Sequence, residues 1–330
     1  MFFSGGFQNR LLELSIGIGT VVIASLITLH VIRKPRKKIS RIIDTMEILN
    51  RNTVHIKNRD HVEEIVSRII RGGASKLQVI SDFDQTLSRV HKNGEKCTTT
   101  YGIFEHSSRI SEEYKNQTAF LYNHYHPIEV DPHLTKAEKE PYMIEWYTKC
   151  IDLMPSSGIT KDCVPDMVAD LNVILRDNSD VLLESLYKNN VPLLIFSAGI
   201  GDVLKVVLQR CNLLYPNVKI IANFLQFDSE NKLIGFKNDL IHTFNKNRSS
   251  IENHEYFDHV RVRNNVILLG DSLGDLDMAA GVQDADVMLK IGFLNFKIEE
   301  NLPKYLDAFD IVLSDDQSMD VIVGLLQNIL

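Results

Sequence analysis

The stretch Leu77-Gln78-Val79-Ile80-Ser81-Asp82-Phe83-Asp84-Gln85-Thr86 constrains what this chain can fold into more than any other. Its first residues are mostly apolar and β-prone, which reads as a short buried strand ending at Ser81. Asp82 and Asp84 then stand at i and i+2, on one face of an extended segment. In an open α/β sheet the carboxyl end of a strand is where ligands bind, and two carboxylates held this close need a cation or a shared proton. The pattern also fits a polar turn whose acids cap the next helix, so the remaining chain has to decide.

From Val191 onward strands and helices alternate: Leu193 to Phe196 then Ile200 to Cys211, Val218 to Ala222, the short pair Phe224 to Phe227 and Lys232 to Phe236, Asn265 to Leu269, Val287 to Ile291, Ile311 to Leu313, and an apolar helix from Met319 to Leu330. Such alternation predicts a parallel, doubly wound, Rossmann-like α/β sheet. Ahead of Leu77, the spacing of Val62, Ile65, Val66, Ile69 and Ile70 predicts a helix that stops at Gly72-Gly73. Between Asp82 and Val191 lie roughly a hundred residues of helical character, too many for a simple crossover. A helical cap inserted in the core is the economical reading, and it would exclude water and select the substrate.

Val266-Ile267-Leu268-Leu269-Gly270-Asp271-Ser272-Leu273-Gly274-Asp275 repeats the opening logic, an apolar strand running into two carboxylates. Asp82, Asp84, Asp271 and Asp275 at one sheet edge would repel one another without a hard divalent cation, and an oxygen-only donor set suits Mg²⁺. Phe196-Ser197-Ala198-Gly199 ends a strand and opens a helix, so a hydroxyl and free N–H groups offer a phosphate seat. Lys246 supplies a cation from a loop.

With 330 residues, 44% hydrophobic, the chain has room for one large domain plus an insertion, and its net charge of −7 argues against a nucleic-acid scaffold. Four cysteines without CxxC pairing read as free thiols of a reducing compartment. Leu14 to Ile32 carries no charge and, at ~1.5 Å per residue, just spans a ~30 Å hydrocarbon layer. Arg33, Lys34, Arg36, Lys37 and Lys38 follow it. The expectation is an N-terminal transmembrane helix, a single-pass endoplasmic-reticulum anchor with the catalytic domain in the cytoplasm.

Taken in order, Asp82-Phe83-Asp84-Gln85-Thr86, Phe196-Ser197-Ala198-Gly199, Lys246 and Gly270 to Asp275 resemble the four motifs of haloacid dehalogenase-like phosphohydrolases. The stretch from Lys76 to Leu330 further resembles the cytosolic 5′-nucleotidase III, or pyrimidine 5′-nucleotidase, family. That closer resemblance rests on Ile128 to Pro132, Glu145 to Lys149, Phe196 to Asp202, Leu240 to Lys246 and Ile291 to Asn295.

The resemblance implies Asp82 as the nucleophile forming an aspartyl-phosphate and Asp84 as general acid and base. It implies Mg²⁺ on the Asp82 side chain, the Asp84 carbonyl and Asp271, with Asp275 behind them. Ser197, the Ala198 N–H and Lys246 would grip the phosphoryl oxygens. In the cap, Glu129 would accept from the amino edge of the base, with Tyr101, Trp146 and Tyr147 as candidate stacking partners and Cys150 beside them. Tyr101 stands where pyrimidine-preferring members carry His, and Cys150 where they carry a small hydroxyl. A more aromatic box favours a cationic base such as 7-methylguanine.

The implied function is Mg²⁺-dependent hydrolysis of nucleoside 5′-monophosphates (CMP, UMP, 7-methyl-GMP) by a monomer with no nucleic-acid polymer as partner. Other small phosphomonoesters, or a silent membrane-tethered scaffold, are the alternatives. The expected division is an anchor and basic flank over 1–38, a core over 39–95 and 181–330, and a cap over 96–180.

Overall fold

The computed structural model describes residues 41–330 apart from positions 106, 130, 132, 243–244, 247–255, 257–258 and 283–284. Seven strands form the central sheet: β1 (Val54–His55), β2 (Leu77–Ser81), β3 (Leu193–Ile200), β4 (Val218–Asn223), β5 (Asn265–Gly270), β6 (Val287–Leu294) and β7 (Ile311–Ser314), in the order β1-β7-β6-β5-β2-β3-β4. All neighbours run parallel except β1, a two-residue edge strand antiparallel to β7 that the apolar pattern does not announce.

The chain winds from β2 outward through β3 and β4, then returns to β5 on the opposite flank of β2. That reversal makes β2 the switch point of the sheet, beside which α/β folds bind their ligands. Ser81 is in register with Leu269 of β5 and Ile195 of β3, and the Asp82 N–H donates to the Leu269 carbonyl at 3.0 Å. The three strands that carry the motifs are therefore adjacent, with their carboxyl ends level.

Helices cover both faces because β2, β5 and the first half of β3 are buried throughout, leaving apolar residues to pack on either side. Helix α1 (Arg59–Gly72) turns Val62, Ile65, Val66 and Ile69 inward; the Asn58 side chain caps its start and Gly73 its end. Between β2 and β3 come two long helices, α2 (Glu112–Glu129) and α3 (Lys136–Leu153), joined by a loop ending in the Thr135–Glu138 capping box. They meet through a small cluster of Leu121, Tyr125 and Met143, against which Trp146 and Cys150 pack. The chain leaves and re-enters the core side by side: the Arg89 N–H donates to the Ile174 carbonyl at 2.7 Å and the Thr98 N–H to the Asn172 carbonyl at 3.1 Å. A hairpin of Leu225–Phe227 and Leu233–Phe236 props the segment after α3, with the Leu233 N–H bonded to the Ile159 carbonyl at 3.0 Å. After re-entry come α4 (Ser179–Lys188), α5 (Gly201–Arg210), α6 (Ile298–Ala308) and α7 (Asp320–Ile329).

The parallel α/β core agrees with expectation, whereas the transmembrane helix is corrected. No helix among the described residues is long and apolar enough to cross a membrane, and the run Leu14 to Ile32, an uncharged stretch read by length and flanking charge alone, lies outside them. The endoplasmic-reticulum anchor, and the membrane as a partner, are withdrawn with it.

Candidate active site

Asp82 follows β2 and is buried at 3% exposure beside Lys246, which is buried at 5%. The Lys246 Nζ donates to Asp82 Oδ1 at 2.5 Å and to Asp275 Oδ1 at 2.8 Å. A lone buried ammonium would be very costly, so this pairing is what lets the lysine enter the interior. Asp275 has both oxygens engaged: Oδ2 accepts from the N–H groups of Asp271 and Ser272, at 3.1 and 2.9 Å, and from the Ser272 hydroxyl at 2.9 Å. The turn after β5 therefore uses Asp275 as its cap and leaves Asp271 facing Asp82. Carboxylate oxygens of Asp82, Asp271 and Asp275 lie within 4.8 Å of one another. The Thr86 hydroxyl reaches Asp271 Oδ1 at 3.4 Å.

Burial pushes the Asp82 carboxyl up to about 7 against the pull of Lys246, with Asp275 and Asp84 adding repulsion. Asp271 is driven well above the usual carboxylate range by burial and then by Asp275 and Asp82. Burial also raises Asp84, opposed by hydrogen bonds from Thr100. Burial alone would lower Lys246, yet Asp275 and Asp82 hold its ammonium above the ordinary value. Asp82, Asp84, Asp271 and Asp275 around the one ammonium of Lys246 leave a surplus of negative charge whenever all are ionised, which suits a cation.

Asp84 is engaged by Thr100, its Oδ1 and Oδ2 accepting from the Thr100 N–H at 2.8 Å and hydroxyl at 2.5 Å. Ser197 Oγ, also buried, accepts the Gly199 N–H at 2.9 Å. The Ala198 carbonyl is held by Asn223 Nδ2 at 2.7 Å, and the same amide donates to the Ile241 carbonyl at 2.8 Å. Asn223 thus straps the Ser197 turn to the segment leading to Lys246. The turn that follows Asp84 is braced by Arg176, whose Nε donates to the Thr86 carbonyl at 2.7 Å and Nη2 to the Gln85 carbonyl at 2.5 Å. Asn295 donates to that same Gln85 carbonyl at 3.0 Å.

The structure brings Asp82, Asp84, Lys246, Asp271 and Asp275 together with the Ser197-Ala198 turn. The residues from the helical insertion form an adjoining aromatic wall. Tyr101 and Tyr147 meet edge to face with centroids 6.2 Å apart, and Tyr147 lies 6.4 Å from the His242 ring. The Tyr147 hydroxyl is raised by burial, then by the charges of Glu129 and Cys150, while Lys246 lowers it. Glu129, Cys150 and Lys246 are therefore all within electrostatic reach of the Tyr147 hydroxyl. Burial pushes the Cys150 thiol up to about 11. Trp146 stacks on Tyr125 at 5.9 Å and 13°, packing α3 on α2, and its ring also lies 5.9 Å from that of Tyr147. Thr243 and Phe244 of the quoted Lys246 segment, and Val130 and Pro132 beside Glu129, lie outside the described residues.

Sequence reasoning did not identify Thr100, Asn223 or Arg176. Thr100 is one of three consecutive threonines, and nothing in the run distinguishes the one that faces Asp84. Arg176 and Asn223 act on backbone carbonyls, a role with no side-chain spacing to read.

Comparison with known proteins fits this geometry. The family model for pyrimidine 5′-nucleotidase (UMPH-1) matches residues 85–330. A 7-methylguanosine phosphate-specific 5′-nucleotidase of Homo sapiens is 46% identical over 287 residues, 87% of this chain and 96% of that protein. The Drosophila melanogaster protein of the same name is 42% identical over 271 residues, 81% of this chain and 85% of its own length. The crystal structure of cytosolic 5′-nucleotidase IIIB bound to cytidine superposes with a TM-score of 0.81 at 41% identity, covering 86% of this chain and 96% of that one. This protein belongs to the pyrimidine 5′-nucleotidase family, on a haloacid dehalogenase-like fold, and is a 5′-nucleotidase.

Proposed function

We propose that the protein hydrolyses 7-methyl-GMP and CMP in preference to other nucleoside monophosphates, through an aspartyl-phosphate on Asp82. The observation that carries this reading is Lys246 bonded to both Asp82 and Asp275 beside the Ser197-Ala198 turn. On this reading the arrangement supplies a buried nucleophile, a cation and phosphate-binding donors.

The donor set fits Mg²⁺. Asp82 and Asp271 present carboxylate oxygens at close range, all ligands are oxygen, and Asp275 is occupied with Lys246 and backbone donors. Asp82, Asp271 and the Asp84 carbonyl would hold the ion, which when bound neutralises the repulsion between anionic nucleophile and anionic phosphate. Asp82 attacks phosphorus, and Ser197, the Ala198 N–H and Lys246 bind the phosphoryl oxygens as charge shifts onto them. Asp84, raised by burial, gives its proton to the departing ribose oxygen and later takes one from the hydrolytic water. Residues 96–180 act as a cap over a core of 39–95 and 181–330. In that cap Glu129 accepts from the base, and Tyr101 and Tyr147 form its aromatic wall with Cys150 alongside. The ring faces favour a base that carries positive charge, and the relatives named for 7-methylguanosine phosphate support that choice.

Phosphate release by the full chain from CMP, UMP, GMP, AMP and 7-methyl-GMP, with Mg²⁺ and with EDTA, tests the reading. CMP and 7-methyl-GMP should lead, EDTA should abolish turnover, and Asp82→Asn should be inactive while still folded by circular dichroism. Equal rates across the five nucleotides, or turnover in Asp82→Asn, would overturn it.

A further inference from the structure

Thr100 is fully buried where the chain passes from the core into the helical insertion. It places one donor on each Asp84 oxygen, the N–H on Oδ1 at 2.8 Å and the hydroxyl on Oδ2 at 2.5 Å. The same hydroxyl oxygen accepts the Ile200 N–H at 3.0 Å. The Ile200 N–H takes one lone pair of the hydroxyl oxygen, whose proton is then free to point at Asp84 when that carboxyl is ionised. Ile200 closes the turn that begins at Ser197, so Thr100 ties the acid to the backbone assigned to the phosphate. Gly199 lies against this link: a Cβ there would sit 2.5 Å from Asp84 Oδ2 and 3.0 Å from Ser197 Oγ. An Asp side chain left alone swings about two torsions, and a fork on both of its oxygens fixes both.

We propose that Thr100 is a positioning residue for proton transfer, holding Asp84 so that its proton meets the leaving 5′ oxygen when the phosphate is seated on the Ser197 turn. The proposal rests on Asp84 being the general acid. As Asp82 bonds to phosphorus, the bond from phosphorus to O5′ breaks and its electron pair stays on O5′. That oxygen takes the proton from the Asp84 carboxyl, which is left as a carboxylate. An alkoxide of ribose leaves poorly without that proton, whereas p-nitrophenolate leaves unaided.

The two esters separate positioning from packing. kcat/KM covers the steps up to departure of the alcohol, so hydrolysis of the phosphoenzyme does not enter. Thr100→Val keeps the shape and the backbone donor but removes the hydroxyl. It should lower kcat/KM for CMP by about 10- to 100-fold, a part of the ~10²- to 10⁴-fold that a general acid contributes. For p-nitrophenyl phosphate the fall should be under about threefold, because that ester draws no help from the acid. Thr100→Ser, which restores the hydroxyl, should recover most of the CMP rate. Asp84→Asn is measured alongside and should separate the esters at least as strongly. Equal losses on both esters in Thr100→Val, or no recovery in Thr100→Ser, would overturn the proposal while Asp84→Asn still separates them. If Asp84→Asn hits both esters equally, the acid assignment itself falls, and the role of Thr100 with it.

Discussion

Gly199 shows how much of this site depends on single atoms. Its backbone passes so close to Thr100, Asp84 and Ser197 that an added Cβ would fall far inside contact with the Thr100 hydroxyl and 2.5 Å from Asp84 Oδ2. Gly199→Ala must therefore shift Thr100, Asp84 or the Ser197 turn. Overpacking a tight site costs about 1–3 kcal/mol, and a displacement near 1 Å at reacting groups costs on the order of 10²-fold in rate. The expected result is a kcat/KM for CMP lowered about 100-fold with a modest fall in melting temperature. A variant within a few-fold of the parent would show that the turn can give way without moving Asp84. At this scale the charged residues were legible in the sequence: Asp82, Asp84, Asp271 and Lys246 stand at strand ends or in the ordered motifs, and the structure gathers them. Thr100 and Asn223 were not, because each acts by a hydrogen bond across a gap of many residues, Thr100 to Ile200 and Asn223 to Ile241. A lone hydroxyl or amide carries no periodicity that points to its partner.

Elements were legible wherever one face is consistently apolar. Helix α1 follows the spacing of Val62, Ile65, Val66 and Ile69 and stops at the glycine pair, and β2, β5 and β6 are the apolar runs that precede or neighbour the motif turns. The two-residue β1 escaped because Val54–His55 is too short for a pattern, and it forms only by pairing with β7. Trp146 was a candidate for the base because aromatic residues serve both packing and stacking. Its place against Tyr125 follows from the pairing of α2 with α3, which no local spacing reveals. The end of α1 offers a test of element against site. Gly73 sits at φ 61° and ψ −173°, donating to the Ile69 and Ile70 carbonyls at 3.0 and 3.2 Å, with open space where a Cβ would go. That conformation is nearly exclusive to glycine and costs another residue about 1–3 kcal/mol. Gly73→Ala should lower unfolding free energy in urea by that amount and leave kcat/KM within about twofold of the parent below the transition. A larger loss of activity would mean that strain at Gly73 is passed along β2 to Asp82.

Across the whole molecule, the sheet converts distance in sequence into a concentration of charge. β2, β3 and β5 are adjacent and parallel, so turns far apart in the chain deliver four carboxylates to one edge, facing a single buried ammonium. The site's contribution to stability should then depend on pH in a direction opposite to that of an ordinary salt bridge. Asp82 is raised to about 7, and Asp84 and Asp271 are raised as well, chiefly by burial. In the unfolded chain the same groups titrate near ~3.9. Between about pH 4 and 7 the metal-free native state binds more protons than the unfolded state, and the site's contribution to stability falls as pH rises through that window. A bound divalent cation reverses this, since it needs the ionised carboxylates and displaces their protons. Stabilisation by ligand grows as its apparent affinity tightens. The melting temperature in Mg²⁺ minus that in EDTA should therefore be small at pH 5 and increase steadily to pH 8. Taking the difference cancels groups remote from the site, such as Asp320, lowered through Arg51 despite partial burial. Differential scanning fluorimetry across that range reads the result directly. A gain already full at pH 5 would mean that Asp82 and Asp271 are ionised without the metal, and that Lys246 alone balances the cluster.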